Sequence, residues 1–453
     1  MAKIFLAFFN GIYDKDNPSA IPCYYETLIR ELAARGNSLL VYATKCFVAR
    51  EGEKCPDDLL QKIHAFEPDL ILLANNNFFD ITDEFDVPFV ILESDSLLCY
   101  ANKTRLKQSP SRFHFIVPQT NSIAQLTDFL GQKPKICHAP FFTEIHAQAT
   151  PVKNNICFVG SKFIRDKDYA VPGLFNQFMM QTPSPQAIDA FRFLLNQIRK
   201  NPYVRTEELR EMLGESAVLV ESYLQNIAYI TNYLSDSHRI EILAEVADLG
   251  LAVYGTTNWA TDKTADELTL SYHCEPIYSA QQTQNLYNAS KIGININHLQ
   301  ATTGFGWRVA DVMASHACLV SEFRPDFSRW FPSLSLPLFH DKHEAYELCR
   351  KLLADEAMRA DIVAQSHEAI EAGFRFRHWY KTVSDFLPVP LSQSAVPGTV
   401  SFLPDAEEQC SRRRQKGSIY CFLGMLYQLP GIVNIIPKSN REKIFKKIEK
   451  YWR

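Results

Sequence analysis

With 453 residues and a formal net charge of -4, the chain has room for two or three domains at roughly 100 to 200 residues each, and lacks the basic excess a nucleic-acid partner would require. Hydrophobic residues at 46% and charged residues at 22% are those of a folded globular protein and exclude disordered and collagen-like classes. The 11 cysteines are scattered through apolar runs such as "NNICFVGS" with no Cys-x-x-Cys pair, a pattern of reduced, buried thiols in a cytoplasmic protein rather than of disulfides or zinc.

From the N-terminus, "KIFLAFF" reads as a first buried strand rather than a secretory leader, because no small-residue cleavage site follows it. No run of about 18 apolar residues predicts a membrane-spanning helix. Short apolar runs ("SLLVYAT", "PDLILLAN", "VPFVILES", "FHFIVPQ") then alternate with amphipathic helices ("PCYYETLIRELAARG", "PDDLLQKIHAF", "SIAQLTDFLG"). Strands and helices in alternation predict a parallel, doubly wound sheet, so residues 1–150 read as one Rossmann-like domain.

"NNICFVGS" restarts the pattern in a second Rossmann-like domain over 151–388, with a helical insertion at about 172–237. "SHRIEILAEVADLG" and "LAVYGTT" follow as helix and strand, then "TQNLYNAS" and "KIGININH". A Gly-x-Gly turn opens the helix-like run "TTGFGWRVADVMASHACLVSE", and "LPLFHD" precedes one long helix, "HEAYELCRKLLADEAMRADIVAQSHEAIEAG". Residues 389–453 read as a polar, mobile linker and a basic amphipathic tail. Ile444, Phe445, Ile448 and Tyr451 lie at helical spacing there, which suits either peripheral contact with the inner face of a membrane or packing back on the body.

The order of elements in the second half resembles the spore-maturation CgeB-type glycosyltransferases. "ICFVGSKFIRD" is similar to that family's strand with its following arginine, here Arg165. "LYNASKIGININH", "WRVADVMASHACLVSEFRPDF" and "LPLFHDKHEAYELCRKLLAD" are similar to its later elements. The resemblance implies a GT-B fold, two Rossmann-like domains facing a cleft. It also implies transfer of a sugar from a nucleotide-diphosphate donor to a glycan, lipid-linked or protein acceptor, without a metal or other cofactor. Two departures stand out. Thr303 occupies a position often held by a sugar-binding glutamate and Asp311 the second acidic position, while His316 replaces a usual glycine.

The residue chemistry supports nucleotide binding. Gly304, Phe305 and Gly306 form a turn whose glycines let backbone amides approach a diphosphate at a helix N-terminus, and Arg308 supplies the cation that stabilises a leaving phosphate. The alternative is a plain turn with a surface arginine. Asp311 is positioned to accept ribose hydroxyls, or else to satisfy the helix dipole. Gly160 and Ser161 follow one strand, Tyr254 and Gly255 another, and His298 a third; these are the sheet edges where ligands bind in this fold class. Ile277 offers an apolar wall to the base. Arg165 reaches either the diphosphate or a structural partner, and His298 is either a site residue or a satisfied structural histidine. In the first domain Gly11 and Asp14 follow the first strand on the acceptor or phosphate side. Asp95 is the candidate base that an inverting transfer requires, or a helix cap. An epimerase of the same fold and a non-catalytic carbohydrate-binding scaffold remain alternatives.

Overall fold

The computed structural model describes residues 2–11, 20–44, 52–163, 174–255, 259, 266–273, 275 and 277–403. The first domain runs β1 (Lys3–Phe9), α1 (Cys23–Ala34), β2 (Ser38–Thr44), α2 (Asp57–Phe66), β3 (Leu70–Ala74) and β4 (Phe89–Leu92). It continues through α3 (Lys103–Gln108), β5 (Phe113–Val117), α4 (Thr120–Leu130) and β6 (Lys135–His138). These strands are parallel, and both faces of the sheet are covered, which is why they read as continuous apolar runs. In β1, Ile4, Leu6 and Phe8 pack under α1, whereas Phe5 and Ala7 join the opposite core with Leu59 and Ile63 of α2.

The second domain opens with β7 (Asn154–Val159) and a helical insertion of α5 (Leu174–Met179), α6 (Pro185–Lys200), α7 (Thr206–Leu213) and α8 (Glu221–Leu224). Phe178, Phe191, Leu194 and Tyr223 give this insertion a core of its own. Its end differs from the expectation near residue 237, because α9 (Ile227–Glu245) is one continuous helix. Leu234 of α9 packs in the insertion while Ile242 and Leu243 pack under the second sheet.

Next come β8 (Leu251–Tyr254), α10 (Asp266–Ser271), α11 (Ala280–Asn288), β9 (Ser290–Asn295), α12 (Arg308–Met313), β10 (Cys318–Glu322), α13 (Asp326–Trp330) and β11 (Leu338–Phe339). The five parallel strands take the order β11-β10-β9-β7-β8. The expected long helix after β11 is two helices, α14 (Lys342–Ala354) and α15 (Glu356–Gly373). The break falls at Asp355, whose carboxylate accepts the Met358 amide and caps α15.

The final helix, α16 (Phe376–Phe386), returns to the first domain. Phe376, Trp379, Tyr380 and Val383, at i, i+3, i+4 and i+7, complete the core beneath β1 and α1. Residues 389–403 then run along that domain instead of forming a free linker, and β12 (Val400–Phe402) pairs parallel with β2 as the outer strand of a seven-stranded sheet. The remainder of the proposed tail, 404–453, lies outside the described residues.

The chain therefore crosses between domains twice, and the crossings lie side by side. Thr143 donates its amide to the Phe374 carbonyl at 2.9 Å, and the Arg375 guanidinium reaches the Ile145 carbonyl at 2.6 Å. No helix among the described residues is long and apolar enough to cross a membrane.

Candidate active site

The carboxyl ends of the two sheets face one another. Loops after β4 and β5 in the first domain touch loops after β9 and β10 in the second. Parallel sheets bind ligands at this edge because the loops there bring unpaired backbone groups and variable side chains together.

On the second-domain side, two arginines flank Phe158 at the end of β7. The guanidinium carbon of Arg308 lies 5.3 Å from the ring centroid and that of Arg239, from α9, 5.2 Å from it. Arg308 is half-buried and donates to the Asn295 side-chain oxygen at 3.0 Å. Arg239 is 3% exposed and donates to the carbonyls of Ser161 (2.6 Å) and Ile296 (3.2 Å), with its Nε unpartnered. Among the described residues neither guanidinium forms an ion pair with a carboxylate. Burial, followed by the proximity of Arg308, brings Arg239 down to about 9. Among the described residues Asp236 and Glu322 act on Arg239, and Asp311 on Arg308, without an ion pair, so the two guanidiniums keep donors free for an anion.

The glycines around this site are there for close approach. A Cβ on Gly160 would stand 2.9 Å from the Phe158 ring and 3.0 Å from the Arg308 guanidinium. A Cβ on Gly255 would fall on the Gly160 carbonyl oxygen, so the chain leaving β8 runs tight against the chain leaving β7 beside it. That carbonyl also accepts the Trp259 indole N–H at 2.7 Å. Ser161 is exposed at this edge, and nothing lies within 4 Å of where a Cβ on Gly306 would be.

Several expected ligand contacts lie elsewhere. Gly304 faces the first domain: a Cβ there would fall inside the Gln119 side chain. Thr303 accepts the Asn121 amide at 3.0 Å, and so helps to cap α4 instead of meeting a sugar. Phe305 stacks on Phe327 at 4.4 Å within the core. Tyr254 is buried, stacked on His273, and Ile277 packs against the same core, so neither side chain forms an open base pocket. The helix that follows the turn, α12, has only six residues, too few for the expected anion-binding dipole to match the paired guanidiniums.

Asp311 is also corrected as a ribose ligand in this conformation. It is buried and accepts the Thr143 hydroxyl at 2.6 Å beside the domain crossing. Burial raises its carboxyl to about 7. His298 has both ring nitrogens engaged, with Nδ1 accepting the Gln300 amide at 3.1 Å and Nε2 at 2.9 Å from the Asn232 side-chain oxygen. Burial and then Arg239 push it down to about 3, so this histidine is neutral and structural. Asp14 and Arg165 lie outside the described residues, while Gly11 sits directly after β1.

Asp95 fits its expected place. It lies past β4, and its carboxylate accepts the Asn75 amide at 2.7 Å and the Gln300 amide from the second domain at 3.1 Å. The residue is exposed as a whole, yet burial of its carboxyl where the two domains meet raises it above the ordinary value. It caps no helix; Ser96 accepts the Leu98 amide instead. Neighbouring Glu93 is fully buried, held by the Tyr100 and Ser122 hydroxyls, and raised by burial to about 7. One loop joins the two halves of the site, since Ile296 contacts Arg239 and Gln300 contacts Asp95. Four residues of chain span at most about 14 Å.

Sequence reasoning passed over Arg239 because "SHRIEILAEV" reads as an ordinary amphipathic helix. Its signal was an arginine on the buried face, a costly placement without an anion or a carbonyl cage. Among the described residues no group of three or more His, Cys, Asp or Glu side chains could hold a metal ion.

Residues 238–385 match the model of a family described as glycosyl transferase-like. The matched stretch lies within the second domain and ends in α16. No curated protein sequence matches the chain. Among solved structures, a sucrose-phosphate synthase from Thermosynechococcus elongatus is similar at 12% identity and a TM-score of 0.49, over 83% of this chain and 96% of that one. T4 phage BGT, solved with its UDP-glucose substrate, is similar at 9% identity and a TM-score of 0.49, over 86% and 100%. A trehalose-6-phosphate synthase is similar at 11% identity and a TM-score of 0.47, over 86% and 99%. The chain is built on two Rossmann-like parallel sheets, and the family match falls mainly on the second.

Proposed function

We propose that the protein transfers a sugar from a nucleotide-diphosphate donor to a hydroxyl acceptor in the interdomain cleft, without a metal in the chemistry. The observation that carries this reading is the pair of arginines, Arg239 and Arg308, around Phe158, with no carboxylate ion-paired to either among the described residues. When the bond from the anomeric carbon to the phosphate oxygen breaks, its electron pair stays on the diphosphate, and preformed cations stabilise that charge with little reorganisation. The sugar would extend from this site toward Asp95. In an inverting transfer Asp95 takes the acceptor hydroxyl proton as the oxygen bonds to the anomeric carbon. The acceptor is a glycan, lipid-linked glycan or protein, met in the cytoplasm or at the inner face of a membrane.

Thermal denaturation with the diphosphates of uridine, guanosine, cytidine and thymidine tests the donor site. A diphosphate at about 100 times its Kd adds about 2.7 kcal/mol to stability. One of the four is expected to raise the melting temperature by a few degrees, and Arg308→Ala to remove the rise. No rise with any of the four would refute the reading.

A further inference from the structure

We propose that Gln300 is a positioning residue that couples closure of the two domains to the state of the Asp95 carboxylate. The inference rests on the reading of Asp95 as the acceptor base. Gln300 belongs to the second domain, follows β9 and is 7% exposed. Its side chain nevertheless sits among first-domain groups. Its Nε2 donates to Asp95 Oδ1 at 3.1 Å, and its Oε1 accepts the Ser96 hydroxyl at 2.9 Å and the Cys99 thiol at 3.3 Å.

The surroundings fix the amide's orientation, because a carboxylate accepts while a hydroxyl and a thiol donate. The main chain of Gln300 is held equally firmly within its own domain. Its amide donates to His298 Nδ1 at 3.1 Å, and its carbonyl accepts the Tyr203 hydroxyl of the helical insertion at 2.5 Å. His298 is in turn anchored on Asn232 of α9 at 2.9 Å. Gln300 is thus a rigid finger of the second domain reaching a carboxylate of the first. Opening the cleft would withdraw its N–H, leaving Asp95 with the Asn75 amide at 2.7 Å.

A donor to the charged form favours carboxylate over acid, so the Gln300 contact made on closure offsets part of the rise that burial imposes on Asp95 and orients its free lone pairs. The other titratable groups around Asp95 are Glu93 at the end of β4, Cys99 and Tyr100 in the following turn, and Tyr25 of α1. As anions, all four would oppose its ionisation. Gln300 is the second-domain donor among its contacts.

The test titrates full-length protein carrying 13C at the aspartate carboxyls, with the Asp95 resonance assigned by Asp95→Asn. Gln300→Leu is expected to raise the Asp95 midpoint by about one pH unit, and Ser96→Ala, which removes one donor to Gln300 Oε1 while leaving both side-chain donors to Asp95 present, to raise it by less. With a turned-over donor, the acid limb of kcat should move by the same amount while the donor KM stays put. An unmoved Asp95 midpoint in folded Gln300→Leu or Ser96→Ala protein would overturn the proposal, as would a kcat limb that ignores a moved midpoint. The titration needs no turnover, so full activity of Asp95→Asn would refute the reading of Asp95 as the base separately from the coupling.

Discussion

At the residue scale, the informative positions are charged groups in places that disfavour charge. Arg239 is buried with carbonyls and an aromatic face for company, an arrangement whose cost falls when an anion arrives. Arg239→Met keeps much of the packing volume while removing the charge. It is expected to leave the apo melting temperature within a few degrees of wild type but to abolish the diphosphate-dependent rise, both read in one thermal scan. Asp311 carries a different prediction. Its carboxyl is raised from 3.8 in the reference state to about 7 in the fold, so the protonated form is the one the fold prefers. The contribution is full below about pH 4 and is lost as pH rises through about 7, at up to about 1.4 kcal/mol per pH unit. Asp311→Asn should therefore flatten the fall in urea-denaturation stability between pH 4 and 7. Buried Glu93 shares this sign, so the difference between wild type and Asp311→Asn is the quantity to measure.

At the element scale, α4 depends on the opposite domain. Gln119, its N-terminal cap residue, makes no side-chain cap. Instead Asp326 at the start of α13 accepts both the amide of Thr120 at 2.9 Å and its hydroxyl at 2.5 Å, and Thr303 accepts the Asn121 amide. A carboxylate at a helix N-terminus meets unpaired amides and the positive end of the dipole together. Beside this contact Trp307 stacks on Tyr24 of α1 at 5.3 Å, a pairing of about 0.5 to 1.5 kcal/mol. Asp326→Ala is expected to cost about 1 kcal/mol of interdomain stabilisation and to increase the radius of gyration in small-angle scattering. Gly304→Val should do the same by steric exclusion against Gln119. Unchanged scattering from both variants would show that this contact does not hold the cleft closed.

At the scale of the whole molecule, the domains are discontinuous in sequence. The first core is finished by α16 and by Leu391, and Gly398 approaches the Asn37 backbone so closely that no Cβ fits. Ending the chain at residue 388 is expected to lower the melting temperature, because β12 and the contacts of residues 389–403 are lost. Ending it at 403 should retain them. A truncation at 388 as stable as one at 403 would show that these contacts contribute nothing to the fold.

Sequence by itself determined the core strands of both sheets and the helices between them, but not the break at Asp355 or the strand β12. Continuous apolar runs such as "KIFLAFF" and "NNICFVGS" can satisfy their backbone and bury both faces only in a covered parallel sheet, and β1 and β7 lie where those runs predict. The placement of Arg308 and Asp95 was legible too, because each follows a strand at the edge where such sheets meet ligands. Tertiary structure alone decided the partners. Periodicity does not reveal that Thr303 would cap a helix more than 180 residues away, that Asp311 would turn to Thr143, or that Gln300 would reach Asp95 across the cleft. Gly304 reads as a phosphate-binding glycine in one dimension and is a domain-contact glycine in three. The physical reason is the same in each case: a local pattern encodes what a residue does to its own backbone, whereas burial and charge pairing depend on which distant segment the fold brings to meet it.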